Sequence, residues 1–296
     1  MLPVIFALVC YVSSNVIAAP TPVVIWHGLG DSCCNPLSMG RIKKIIEQNG
    51  PEGVYVKSLM FGSNIVTDTE KGFFANMNDL VDEACDQLKK DPRIKGSYHS
   101  VGFSQGGLFL RALAQRCDYP VPKSVVSIGG PQHGVFGLPH CPASAGICNT
   151  VRRLLNLGAY VGFVQNTLVQ AQYWDDPYLR DDFKNKNIFL ADINCARGCN
   201  QTKYKQNLSR LESLVLVKFL KDTMVVPKDS EWFGYYPDNN TTAIVDWTDS
   251  YLYKEDPIGL RSLDEEGKLH FLTVDADHLR ITTEFFIDEI IKKYFN

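Results

Sequence analysis

None of the nine cysteines in this 296-residue sequence forms a C-x-x-C pair, and none is spaced with histidine as zinc ligands would be. That argues against a metal centre. There is no basic stripe either: 30 Lys and Arg are scattered among 33 Asp and Glu, for a net charge of −3. Such a chain lacks the electrostatic footprint of a nucleic-acid binder. Internal repeats and low-complexity linkers are absent, and no second membrane-length apolar run follows the first 19 residues. What is present is 45% hydrophobic and 11% aromatic residues, enough to bury a large core. The length fits one α/β domain with insertions or two domains.

The single long apolar stretch, residues 1–19, ends in the small residues Ala18 and Ala19 before Pro20. It reads as a secretory signal peptide, although the usual positive start is missing. An uncleaved anchor is the alternative, but the stretch is short and has no stop-transfer flank. The mature chain, 20–296, is then expected to carry no transmembrane segment. Cysteine usage agrees with export. Setting Cys10 aside leaves an even set of eight: Cys33, Cys34, Cys85, Cys117, Cys141, Cys148, Cys195 and Cys199. Four N-x-S/T sequons, at Asn200, Asn207, Asn239 and Asn240, fit the same route, and the last two overlap.

Apolar β-rich runs alternate with amphipathic ones. Strands are expected at 23–26, 54–57, 98–101, 125–128, 214–217 and 269–274, and helices at 36–48, 73–88, 107–117 and 282–294. This βαβ rhythm predicts a mainly parallel sheet with helices on both faces. It breaks between about 131 and 209, where turns and helical patterns near 151–157 and 163–173 predict an inserted lid or substrate-binding segment.

Gly102-Phe103-Ser104-Gln105-Gly106 lies where an expected strand meets an expected helix. G-x-S-x-G in that setting is the nucleophile-elbow pattern of α/β-hydrolases, in which glycines let backbone and substrate crowd around a serine. In that fold the acid and the histidine follow the serine in chain order. Of six histidines, only His270 and His278 come late enough; His270 falls inside an alternating strand, and His278 in the loop after it. A loop at a strand's carboxyl end is where α/β folds collect functional groups, so His278 is the expected base. Asp222, directly after the run 214–220, is the preferred acid. Asp229 and Asp192 compete, and Asp275 and Asp277 sit too close to His278 in sequence. The base activates a hydroxyl that is a poor nucleophile at neutral pH, and the acid fixes the base's tautomer. Oxyanion donors are expected from the backbone N–H groups of Gln105 and of Leu29 in His27-Gly28-Leu29-Gly30.

Several segments together resemble the palmitoyl-protein thioesterases. They are His27–Pro36, Gly102–Gly107, His133–Pro139, Phe189–Asn194, Asp229–Gly234 and Asp277–Leu279, in family order along nearly the whole mature chain. The resemblance implies an α/β-hydrolase fold and removal of palmitate and other long-chain acyl groups from cysteines of S-acylated proteins in the lysosome, with secretion as a second destination. It implies no cofactor, and it supports Ser104, Asp222 and His278 as the triad. It further implies the disulfides Cys33–Cys34, Cys85–Cys117 and Cys141–Cys148, leaving Cys195 and Cys199 for a local bridge. An apolar acyl groove between core and insertion is implied too, with Trp174, Leu29 and Val225 as candidate lining; Trp174 could equally be core. The chain departs from the family where Lys221 precedes Asp222, because no sequon then stands beside the acid. A secreted lipase or carboxylesterase with the same triad is the main rival reading, and an inactive binding protein of the same fold the second.

Overall fold

The structure, a computed structural model, describes residues 19–137 and 146–296. Nearly all of the expected leader, and the Cys141–Cys148 pairing, lie outside the described residues. Six strands, β1 Val23–Trp26, β2 Val56–Ser58, β3 Ser97–Phe103, β4 Val121–Ile128, β5 Ser213–Phe219 and β6 Leu269–Val274, form one sheet in the order β2-β1-β3-β4-β5-β6. Every pairing in it is parallel. Side chains alternate across a strand, so β1 sends Val24 and Trp26 into one apolar core and Val23 and Ile25 into another. A parallel sheet buried on both faces accounts for the near-continuous apolar runs in the sequence. This is the α/β-hydrolase layering that the sequence predicts.

Helices α1 Met39–Asn49, α2 Ile65–Phe73, α3 Met77–Lys90 and α4 Gln105–Arg116 connect the first strands. The expected helix 73–88 is in fact the end of α2 and the whole of α3. The Asn76 side chain accepts the Asn78 N–H and starts α3 afresh. Between β4 and β5 the chain adds α5 Gly146–Gly158, α6 Gly162–Thr167, α7 Val169–Gln172, α8 Arg180–Lys186, α9 Leu190–Ile193 and α10 Gln201–Ser209. The pattern at 163–173 is likewise split, because Leu168 is extended and bridges to Phe74. Beyond β5 come α11 Tyr251–Lys254 and α12 Leu260–Glu265. The closing run Thr283–Tyr294 is helical as expected, with a widened turn at Phe286–Ile291.

A buried cation docks the inserted helices on the sheet layer. The Arg111 side chain of α4, fully buried, donates to Gln132, Gln115, Ile193 O and Asn194. Burial pulls its guanidinium down to about 9, and the neighbouring Tyr251 pulls the other way. Three disulfides are formed among the described residues, Cys33–Cys34, Cys85–Cys117 and Cys195–Cys199, and the second ties α3 to the end of α4. No helix of the described residues is long and apolar enough to cross a membrane.

The sequons separate on burial. Asn200 is exposed at the start of α10, and Asn239 and Asn240 lie in an outer turn. Asn207 corrects the sequence reading. Its side chain is buried, and its Nδ2, the atom a glycan would occupy, donates to Gln115 O at 3.0 Å and Asp118 Oδ1 at 3.2 Å.

Candidate active site

Ser104 sits between β3 and α4 with φ 54° and ψ −126°, a backbone region a serine rarely adopts. Its neighbours permit this by lacking side chains. A Cβ on Gly102 would stand 2.2 Å from Gly106 O, and one on Gly106 would stand 2.6 Å from Trp26 O. The strand, the helix and β1 thus approach as closely as their backbones allow. Gly102→Ala is expected to destabilise the fold by about 3 kcal/mol, since neither backbone can retreat. Thermal unfolding checks this: a melting temperature within about 1 °C of wild type would show that the elbow can relax.

His278 follows β6, and its Nε2 lies 3.0 Å from Ser104 Oγ. Its Nδ1 lies 2.5 Å from Asp222 Oδ2. Asp222, after β5, is fixed in turn, its Oδ1 accepting the N–H groups of Met224 (2.7 Å) and Val225 (2.8 Å). Burial pushes the Asp222 carboxyl up, but hydrogen bonding, first of all with His278, outweighs it and holds the group down at about 2. Asp277 Oδ1 accepts the N–H groups of Thr223 and His278, pinning the loop after β5 to the loop after β6.

The competing residues have other partners. Asp229 pairs with Lys218 at 3.1 Å. Asp192 binds Arg116 at 2.6 Å and the Tyr204 hydroxyl. His270 is half-buried in β6 against the Tyr294 ring, and burial lowers its pKa.

The first-strand loop closes over the serine, since a Cβ on Gly28 would meet Ser104 Cβ at 3.1 Å. Buried Asp68 holds that loop, accepting the Cys33 N–H and the Phe61 N–H at 2.7 Å each and lying 3.5 Å from His27 Nε2. Leu29 is thereby set beside Ser104. Gln105 opens α4, so its N–H is among the first-turn donors that have no intrahelical acceptor. The Gln105 side chain donates to Gly72 O and accepts from the Tyr173 hydroxyl, linking α2 and the insertion across the site.

Two cavities meet at Ser104. One, of 50 Å³, brings Leu29, Trp174 and Val225 together with the serine, alongside Val135, Leu155 and Tyr173. The other, of 720 Å³, is bounded by Ser104, His278, Ile42, Phe73, Leu279 and Phe286. Met224 and Leu29 border both. A third cavity of 420 Å³, near His133, Arg180 and Tyr235, does not reach the serine. Sequence reasoning missed Met224, Asp277 and Glu231 as parts of this site. Glu231 stands in a quoted family segment, but its approach to Asp222 depends on a turn folding back on β5.

Residues 22–278 match the family model for palmitoyl protein thioesterase. The chain is 55% identical to palmitoyl-protein thioesterase 1 of Caenorhabditis elegans, over 93% of this chain and 91% of that one. It is 33% identical to palmitoyl-protein thioesterase 3 of Dictyostelium discoideum, over 94% and 91%. Similarity extends to the human lysosomal thioesterase PPT2, at 27% identity over 85% and 80%. With a serine, an imidazole and a carboxylate in hydrogen-bonded sequence at the carboxyl ends of a parallel sheet, and a family match across nearly its whole length, the chain belongs to the palmitoyl protein thioesterase family.

Proposed function

We propose that this chain hydrolyses the thioesters that join long-chain fatty acids such as palmitate to protein cysteines. The observation that carries the reading is the hydrogen-bonded chain Ser104–His278–Asp222 in a member of this family. Ser104 Oγ attacks the thioester carbonyl while its proton passes to His278 Nε2. The C–S bond then breaks, the departing sulfur takes the proton from His278, and the acyl group is left as an ester on Ser104. Water next attacks that ester with His278 as base, and Ser104 recovers its proton as the fatty acid leaves. A thiol of pKa about 8.5 is a better leaving group than an alcohol, and the proton from His278 completes its departure. The N–H groups of Leu29 and Gln105 face the oxyanion in both steps. Only protein groups and water take part.

The orientation of the substrate follows from the proton transfer. His278 must reach the sulfur, and it borders the 720 Å³ cavity and not the 50 Å³ one. The cysteine-bearing polypeptide therefore lies on the larger side and the acyl chain on the side of Trp174 and Val225. A volume of 50 Å³ is far below the roughly 300 Å³ or more of pockets that enclose a ligand, so those walls part as a long chain enters. Trp174→Ala is expected to lower kcat/KM for a palmitoyl-cysteine peptide roughly tenfold more than for the butyryl peptide. Equal loss on both would put the acyl chain elsewhere. The same assay separates thioesterase from lipase or carboxylesterase: matched oxygen esters should turn over more slowly, and faster cleavage of them would sink the reading.

We assign the activity to the lysosome, with secretion as a second destination. The name of the human relative, the disulfides and the exposed sequons support this.

A further inference from the structure

Glu231 lies in the turn Lys228–Trp232, buried to 1% exposure, and the steps above give it no part. Its Oε2 accepts the Phe219 N–H of β5 at 2.7 Å. Its other oxygen, Oε1, is buried and finds no donor. One carboxyl oxygen of Glu231, one of Asp222 and a ring nitrogen of His278 all fall within 4.8 Å of one another. Two carboxylates that close and that buried do not both ionise.

Counting donors decides which of the two keeps a proton. Asp222 receives three, from Met224, Val225 and His278, whereas Glu231 receives one. Lys218, whose charge acts on Glu231, pairs with Asp229 and lies over the Trp232 ring at 4.1 Å. On the far side of His278, Asp277 is engaged with Thr223. The proton therefore belongs to Glu231. As an O–H, the orphaned oxygen becomes a donor, and Asp222 Oδ2 has a lone pair left beside His278.

We propose that Glu231 is a neutral carboxylic acid that donates a hydrogen bond to Asp222, and so is a positioning residue for His278. It rests on the assignment of Asp222 and His278 as triad members. Burial first, then hydrogen bonding to Asp222 and after it the Asp222 charge, push the Glu231 carboxyl up to about 11, in accord with that state. The donated bond fixes the second carboxylate oxygen and draws charge away from it. Asp222 then orients the imidazole without over-stabilising its protonated form. A neutral acid serves here where a second carboxylate would not: an ionised Glu231 would favour the protonated imidazole and remove the base from action as the medium acidifies.

Two substitutions separate this from a purely structural role. In Glu231→Gln the amide donates to Asp222 and accepts from Phe219, so kcat, KM and the acidic limb of kcat/KM should stay near wild type. In Glu231→Leu the donor is lost. Its kcat should fall about 10- to 100-fold, short of the roughly 10,000-fold that follows loss of a triad carboxylate. KM should hold, and the acidic limb should move up by about one pH unit, because the less-shielded Asp222 favours protonated His278. An acidic limb that moves down in Glu231→Gln would show that Glu231 is ionised and overturn the proposal. So would a Glu231→Leu enzyme with an unmoved profile. Should Glu231→Leu fail to fold, the wild-type-minus-Glu231→Gln infrared difference spectrum at neutral pH decides. It should contain the C=O stretch of a protonated carboxylic acid, and its absence would overturn the proposal. That spectrum needs no turnover, so it stands apart from any failure of the triad assignment, which activity retained in Ser104→Ala would reveal.

Discussion

Replacing Ser104 by alanine should lower hydrolysis of a palmitoyl-cysteine peptide by roughly 1,000- to 1,000,000-fold with little change in the melting temperature. The loss is large because no other hydroxyl stands 3.0 Å from His278 Nε2 among the described residues. What survives is the residual catalysis of oxyanion donors and substrate binding acting on water, which persists when a nucleophile is deleted. Alanine also keeps the β3–α4 corner, since the strain there is permitted by Gly102 and Gly106 rather than by the serine side chain. The check is paired. Turnover is measured by acyl release, and the serine is titrated with a fluorophosphonate probe that should label wild type and leave Ser104→Ala unlabelled. Equal labelling of the two, or no labelling of folded wild type, would favour a binding protein built on a hydrolase fold.

Asp222→Asn should reduce kcat by about 10,000-fold while leaving the backbone in place. The reason lies in the donors already fixed around this residue. Met224 and Val225 both present N–H groups to Oδ1, so an asparagine must turn its carbonyl oxygen toward them. Its NH2 then faces His278 Nδ1, which must become an acceptor. The ring proton is forced onto Nε2, the nitrogen that should take the proton of Ser104, and the base is blocked by its tautomer. NMR of the imidazole nitrogens reports the protonated site directly. A variant with the proton still on Nδ1, or with activity within tenfold of wild type, would contradict this account.

The sequence made the hydrogen-bonded arrangement of Ser104, His278 and Asp222 legible because chain order and strand ends are both local signals. A glycine-flanked serine follows one strand, an aspartate closes another, and a histidine stands in the loop after the last. The sheet and the parallel direction of its strands were legible in the same way, from apolar runs spaced by helical patterns. Boundaries were harder where tertiary pairing overrides periodicity. Leu168 continues a helical pattern yet is extended, because Phe74 pairs with it. Asn207 satisfies a sequon, but α10 turns Tyr204, Asn207 and Leu208 inward. Glu231 was the least accessible, because nothing in Asp229-Ser230-Glu231-Trp232 states that this turn brings a second carboxyl to Asp222. The candidate groove residues fell between these cases. Trp174, Leu29 and Val225 come from distant segments, and only the fold brings them around one cavity with Ser104.

The distances along the chain between the reacting groups have a consequence for how this molecule comes into being. Ser104 and His278 are 174 residues apart, and Asp222 and His278 are 56 apart. β4 lies between the strands that deliver the serine and the acid, and His278 follows the sheet's final strand. Contacts of such long range are slow to form, so activity should be the last property to appear during refolding, after helical dichroism and tryptophan burial are complete. Because His278 is the last of these groups to be synthesised, a ribosome-bound chain that has not reached it lacks the imidazole and cannot carry out the proposed hydrolysis.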